Sequence, residues 1–240
     1  MPGTALTAPQ IMKELARLGT DAYKRMMLKH GSQEPLFGVK VEDLKKIQKK
    51  IKKDYELALA LFDTGNADAM YLAGLIADET RMTKKDLNRW VEKARSTMIT
   101  EYAVPWVAGE SPFGFELGKT WIDSDQEHIA TAGWSTLSSL VAVRPDDELD
   151  LKALEKLLAR VAKSIHKAPN RVRYTMNGFI VAVGCFVAPL TAKAVATARQ
   201  IGPVTVDMGD TACKVPSALD YIAKRTKAGK LGHKRATARC

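Results

Sequence analysis

Apolar residues recur at helical spacing through nearly the whole chain, and no stretch alternates as a half-buried strand would. Leu44, Ile47 and Ile51 lie three and four residues apart, while Lys45, Lys46, Lys49, Lys50, Lys52 and Lys53 fill the other faces. The same spacing returns over 70–76, 87–91, 129–140, 151–165, 172–186 and 192–201. Only Val204, Thr205 and Val206 read as β-like, too few to anchor a sheet. Thr83 with Asp86 three residues on forms a capping box, and Asp150 and Pro216 mark further helix starts. About a dozen helices of ordinary length follow.

Three of these helices carry a glycine before a large apolar residue: Gly74 in YLAGLIAD, Gly133 in IATAGWSTL and Gly178 in YTMNGFIVAV. Glycine inside a helix costs about 1 kcal/mol relative to alanine. A close helix crossing that recurs along the chain would account for all three. The expected fold is therefore all-α, a HEAT- or armadillo-like superhelical solenoid of stacked antiparallel helix pairs. It spans residues 1–226 as one domain, with 227–240 as a flexible basic tail broken by Gly229 and Gly232.

Charge narrows the partner. Lysine and arginine outnumber the acids 37 to 27, for a formal net charge of +10. A surplus of that size favours a polyanion, and nucleic acid comes before a membrane surface. The start, MPGTALTAPQ, lacks a basic region followed by an apolar block, so a cytoplasmic location is expected. Cys185, Cys213 and Cys240 make an odd number with no CxxC pair, and His30, His128, His166 and His233 lie far apart. The expectation is a reduced protein without metal or cofactor.

Four constellations bear on chemistry. From 214 to 240 there are eight Lys or Arg against the single acid Asp220, so Lys214, Arg225 and Lys227 are candidate phosphate contacts. Lys167, Arg171 and Arg173 surround the start of the helix that carries Gly178, where backbone N–H groups already favour an anion; they either clamp a phosphate or pair with acids. The stretch ITEYAVPWVAGE brings together Glu101, Tyr102, Trp106 and Glu110. If helical, it sets Trp106 and Glu110 on one face, an indole and a carboxylate suited to a cationic base and to positive charge developing on a sugar. The fourth, VDMGDTACKVP over 206–216, holds Asp207, Asp210, Cys213 and Lys214 between apolar stretches. With no histidine near in sequence, it reads as a shaped connection around Gly209 that presents basic groups.

These patterns, with LFGVKVEDLKKIQKKI, AMYLAGLIAD, WIDSDQEHIATAGW and NRVRYTMNGFIVAVGCFV, resemble the AlkD-like DNA alkylation-repair proteins over most of the chain. The resemblance implies a HEAT-like array that holds double-stranded DNA on a concave basic surface. It also implies, in active members, excision of N3- and N7-alkylated purines without base flipping and without a cofactor. Such members carry an aspartate four residues after a tryptophan; the counterpart is Trp106 followed by Glu110, or, in another alignment, Tyr102 beside Glu101. Their helix with Trp and Arg three apart falls at Phe179 and Ala182. Glu110 and Glu101 are thus the candidate catalytic acids, with Tyr102, Trp106 and Trp134 as aromatic DNA contacts. The readings left open are a monomeric glycosylase, an inert module binding damaged or branched DNA, and a protein-interaction scaffold.

Overall fold

The structure, a computed structural model, describes residues 6–239; Met1 to Ala5 and the third thiol, Cys240, lie outside the described residues. Thirteen α-helices and no strand occur among them. They are α1 (Ala8–Leu18), α2 (Asp21–Lys29), α3 (Val41–Ile51), α4 (Tyr55–Asp63), α5 (Ala67–Ile76), α6 (Lys84–Lys93), α7 (Val104–Glu110), α8 (Gly114–Trp121), α9 (Glu127–Val143), α10 (Leu151–Ser164), α11 (Asn170–Phe186), α12 (Thr191–Ile201) and α13 (Ala218–Lys227). A π-helical turn, Ile99–Ala103, leads into α7.

Alternate helices make two layers. In the inner layer α5 packs on the π-turn, α7 on α9, α9 on α11 and α11 on α13; α4, α8 and α12 back them from outside. Local signals start several helices as expected. The Thr83–Asp86 capping box opens α6, and the Asp150 carboxylate accepts from the Ala153 N–H at the start of α10. The last helix begins later than Pro216 suggests: Ser217 is its N-cap, accepting from the Asp220 N–H.

Gly74 and Gly133 sit at close crossings. A Cβ on Gly74 would lie 2.7 Å from the Ala103 Cβ, and one on Gly133 would lie 2.6 Å from the Ile122 backbone nitrogen. Gly178 is different, with nothing within 4 Å of such a Cβ. It keeps a surface open instead of bringing two helices together.

The segment after α13 departs most from expectation. It does not trail into solvent but folds back as a strap along the C-terminal ends of the inner helices. Its Gly232 N–H donates to the Cys185 carbonyl of α11. Lys234 Nζ reaches the Val141 carbonyl of α9 at 2.9 Å and Asp146 at 2.7 Å. The Arg235 N–H donates to the Ala142 carbonyl, and the Arg239 guanidinium to the Gly74 and Ala77 carbonyls at the end of α5. The last carbonyls of a helix lack intrahelical donors and carry partial negative charge. The strap satisfies several of them in series, and its Lys234 and Arg239 side chains are accounted for without any ligand.

Candidate nucleic-acid interface

A cleft crosses the inner layer, and its two rims are built differently. On the C-terminal rim stands Glu110, the last residue of α7. Its carboxylate accepts from the Thr237 hydroxyl, the Ala238 N–H and the Arg239 guanidinium. Arg239, only 9% exposed, also bridges to Glu79 at 3.0 Å. Burial alone would raise the Glu79 carboxyl, but Lys53 and Arg239 hold it below its ordinary value. Glu110 therefore anchors the strap, and no oxygen of it is set aside for a sugar, contrary to its proposed catalytic role.

On the opposite rim the π-turn turns Glu101 inward, 7% exposed. Its Oε1 receives Arg171 Nε at 2.7 Å and Nη2 at 2.5 Å. Burial pushes the carboxyl up to about 7, against the opposing pull of the Arg171 charge. The Arg171 guanidinium lies 4.5 Å from the ring centre of Tyr174, and its Nη1 rests 3.6 Å from the Met208 sulfur. Tyr102 is 39% exposed beside this pair.

The connection VDMGDTACKVP is held in place by the start of α11. Asn170 Nδ2 donates to the Asp207 carbonyl and the Asp207 N–H returns to Asn170 Oδ1, both at 2.8 Å. Asp207 Oδ1 accepts from the Gly209 N–H, and Gly209 takes φ +62°, so the turn forms as its composition suggests. A histidine does lie near Cys213, however: His30, from the end of α2, brings Nδ1 to 3.8 Å of the sulfur. The connection thereby reaches the other end of the chain and walls a cavity of about 570 Å³ between α2, the π-turn and α11. A second hollow of about 280 Å³ shares Glu101, Tyr102 and Tyr174 and runs on over Gly178 and Ala182.

Of the proposed DNA contacts, Tyr102, Arg171 and Lys214 line the large cavity together with Glu101. Trp106 is 4% exposed, packed edge-on against Tyr71 and beside Tyr102; it lines the smaller hollow and offers little surface to DNA. Trp134 is core, 1% exposed against Phe179. Arg173 donates to the Thr205 and Ala168 carbonyls, and Arg225 to the Cys185 and His233 carbonyls, so both guanidinia fasten backbone. Lys167 and Lys227 are exposed but line neither hollow of the cleft. Of the two readings of the start of α11, phosphate clamp or pairing with acids, Arg171 follows the second: its N–H donates to Glu127 at 2.7 Å and its guanidinium to Glu101. Tyr23, Lys29 and Tyr174 were missed. Only Tyr174 left a sequence signal, its spacing of three from Arg171 on a helix.

The profile of the DNA alkylation repair enzyme family matches residues 11–212. The chain belongs to that family. Among solved structures, it superposes with a TM-score of 0.89 and 36% identity on a member of "a new family of proteins related to the HEAT-like repeat DNA glycosylases with affinity for branched DNA structures". That match covers 98% of this chain and 100% of the other, and confirms the HEAT-like all-α fold. Similar relatives include uncharacterized protein Lmo0209 of Listeria monocytogenes serovar 1/2a, 33% identical over 92% of this chain and 100% of its own. Uncharacterized protein Lin0241 of Listeria innocua serovar 6a is 31% identical over 91% of this chain and 97% of its own.

Proposed function

We propose that this family member binds branched DNA as a monomer through the cleft of its inner layer and does not excise bases. The observation that carries the reading is the state of the two candidate acids. Stabilising an oxocarbenium-like sugar requires an anionic oxygen aimed, unshared, at the place where charge develops. Glu110 is occupied by three donors of the strap, and Glu101 is buried, its carboxyl pushed up to about 7 by that burial and its Oε1 bound by Arg171. The solved relative with affinity for branched DNA supports the choice of ligand. The net charge of +10 suits any nucleic acid, and the phosphate part of binding is salt-sensitive and indifferent to sequence.

The test pairs two measurements. Incubation with DNA containing N7-methylguanine should yield no abasic sites beyond those of the buffer control. Gel-shift titration should give tighter binding to a three-way junction than to the same length of duplex, falling as salt is raised. Base release above the control would replace this reading with the glycosylase one. Negligible binding to every DNA near 50 mM salt would leave the protein-interaction scaffold.

A further inference from the structure

We propose that the cavity between α2, the π-turn and the 207–214 connection receives a single unpaired nucleotide at the branch point of the DNA. This rests on the DNA-binding reading above and goes beyond it by naming the recognised unit.

Size comes first. About 570 Å³ lies within the usual range of small-ligand pockets and holds one nucleotide-sized group, but it cannot admit a duplex. Its walls come from segments that the sequence separates by 183 residues, so the hollow is a product of the complete fold.

The lining is matched to a base. Tyr23, Tyr102 and Tyr174 offer aromatic surface, and Met26 and Met27 add adaptable thioethers. Stacking of a base on an aromatic side chain contributes about 1–3 kcal/mol and tolerates any base. The Glu101–Arg171 pair places acceptor and donor groups side by side on the wall, the two kinds of partner that a base edge needs. One guanidinium N–H of that pair has the Met208 sulfur as its partner, at 3.6 Å. A thioether is a weak acceptor, so a base carbonyl or ring nitrogen replacing it would strengthen the contact. Lys29 and Lys214 are exposed in the lining, one from α2 and one from the connection, and can hold the flanking phosphates.

The energetics favour a branch over a duplex. Extracting a base from an intact stack costs a few kcal/mol, and least when the base is already unpaired. A pocket of this kind rewards DNA in which that cost has been met by the junction itself, so it discriminates by structure and leaves sequence unread.

The experiment compares a three-way junction bearing one unpaired 2-aminopurine nucleotide at the branch with the same junction fully paired and with duplex. Two readouts are affinity at fixed salt and the alkylation rate of Cys213, an exposed thiol in the cavity wall followed by peptide mapping. We expect the unpaired nucleotide to tighten binding about tenfold, one stacked base by that scale, and to slow Cys213 alkylation by a similar factor. Cys213→Trp fills the cavity from an exposed loop position and should erase the tenfold difference between the two junctions. Should that variant lose its thermal transition, Lys29→Ala/Lys214→Ala, which changes only exposed side chains, must lower the preference instead. Equal affinity for the two junctions, or unprotected Cys213 in bound complexes, would overturn the pocket and leave cleft binding standing. Failure to bind any DNA would remove both. Protection of Cys213 by millimolar deoxyadenosine monophosphate, equal to that by the junction, would overturn the branch point as the source of the nucleotide.

Discussion

The two rims of the cleft each carry a glutamate bound by an arginine, nine residues apart on one continuous helical segment, yet they are not equivalent. At the C-terminal rim Glu110 receives three donors and Arg239 serves two acids and two helix-end carbonyls. At the N-terminal rim Glu101 is held, among the described residues, by Arg171 alone, and the pair borders open volume. What separates them is saturation. A fully satisfied buried ion pair fixes one arrangement, whereas a pair with spare donors beside a cavity can still exchange partners. The first rim is read as structural and the second as the binding side.

The largest effect expected from that contrast is at Arg239. Arg239→Ala leaves Glu110 and Glu79 without their shared cation, and removing one partner of a buried pair costs about 3 kcal/mol or more. Urea unfolding should show the midpoint fall with little change in slope. Arg239→Lys should recover only part, because an ammonium cannot serve two carbonyls and two carboxylates at once. Undiminished stability in Arg239→Ala would dissolve the distinction between the rims.

Glu101 should respond in the opposite sense. Its carboxyl is raised from 4.5 to about 7, so the folded state holds the proton more tightly than the unfolded chain does. The associated stability is complete below about 4.5 and is lost as pH rises through about 7. Glu101→Gln removes the titration. The variant should therefore match the wild type at pH 4 and exceed it at pH 8 by up to about 3 kcal/mol. A wild-type pH–stability profile that is flat from 4 to 8 would contradict the burial of this acid.

How far the sequence carried these distinctions depended on range. The Thr83–Asp86 box and the Gly209 turn were legible because their partners lie within three residues. Glu101 and Arg171 are 70 residues apart, and Glu110 and Arg239 are 129 apart. Nothing local tells which carboxylate or backbone carbonyl a guanidinium will meet, so phosphate binding stayed open for Arg173 and was the reading for Arg225 and the strap. Trp106 and Trp134 were ambiguous for a related reason: an indole at helical spacing serves core or ligand equally well, and only the packing against Tyr71 or Phe179 decides. The glycines gave the fold but hid one difference, since a missing side chain marks a close crossing and an open cleft floor alike.

That ambiguity supplies the next comparison, with a smaller effect. Gly74→Ala forces a methyl against the Ala103 Cβ at 2.7 Å and its Cα at 2.9 Å, in a crossing of two helical backbones that cannot yield as a flexible side chain would. Overpacking of this kind costs about 1–3 kcal/mol, less the helix propensity gained. Gly178→Ala meets nothing within 4 Å and should keep that gain, up to about 1 kcal/mol. The pair of thermal midpoints should move in opposite directions. Gly178 also lies under the cleft, where Gly178→Leu would occupy the 280 Å³ hollow. Because the position is open, that variant should fold as well as the wild type and lose DNA affinity, separating the two properties that Arg239→Ala would confound. A Gly178→Leu protein that binds the junction as the wild type does would confine recognition to the Glu101 rim and take the hollow out of the interface.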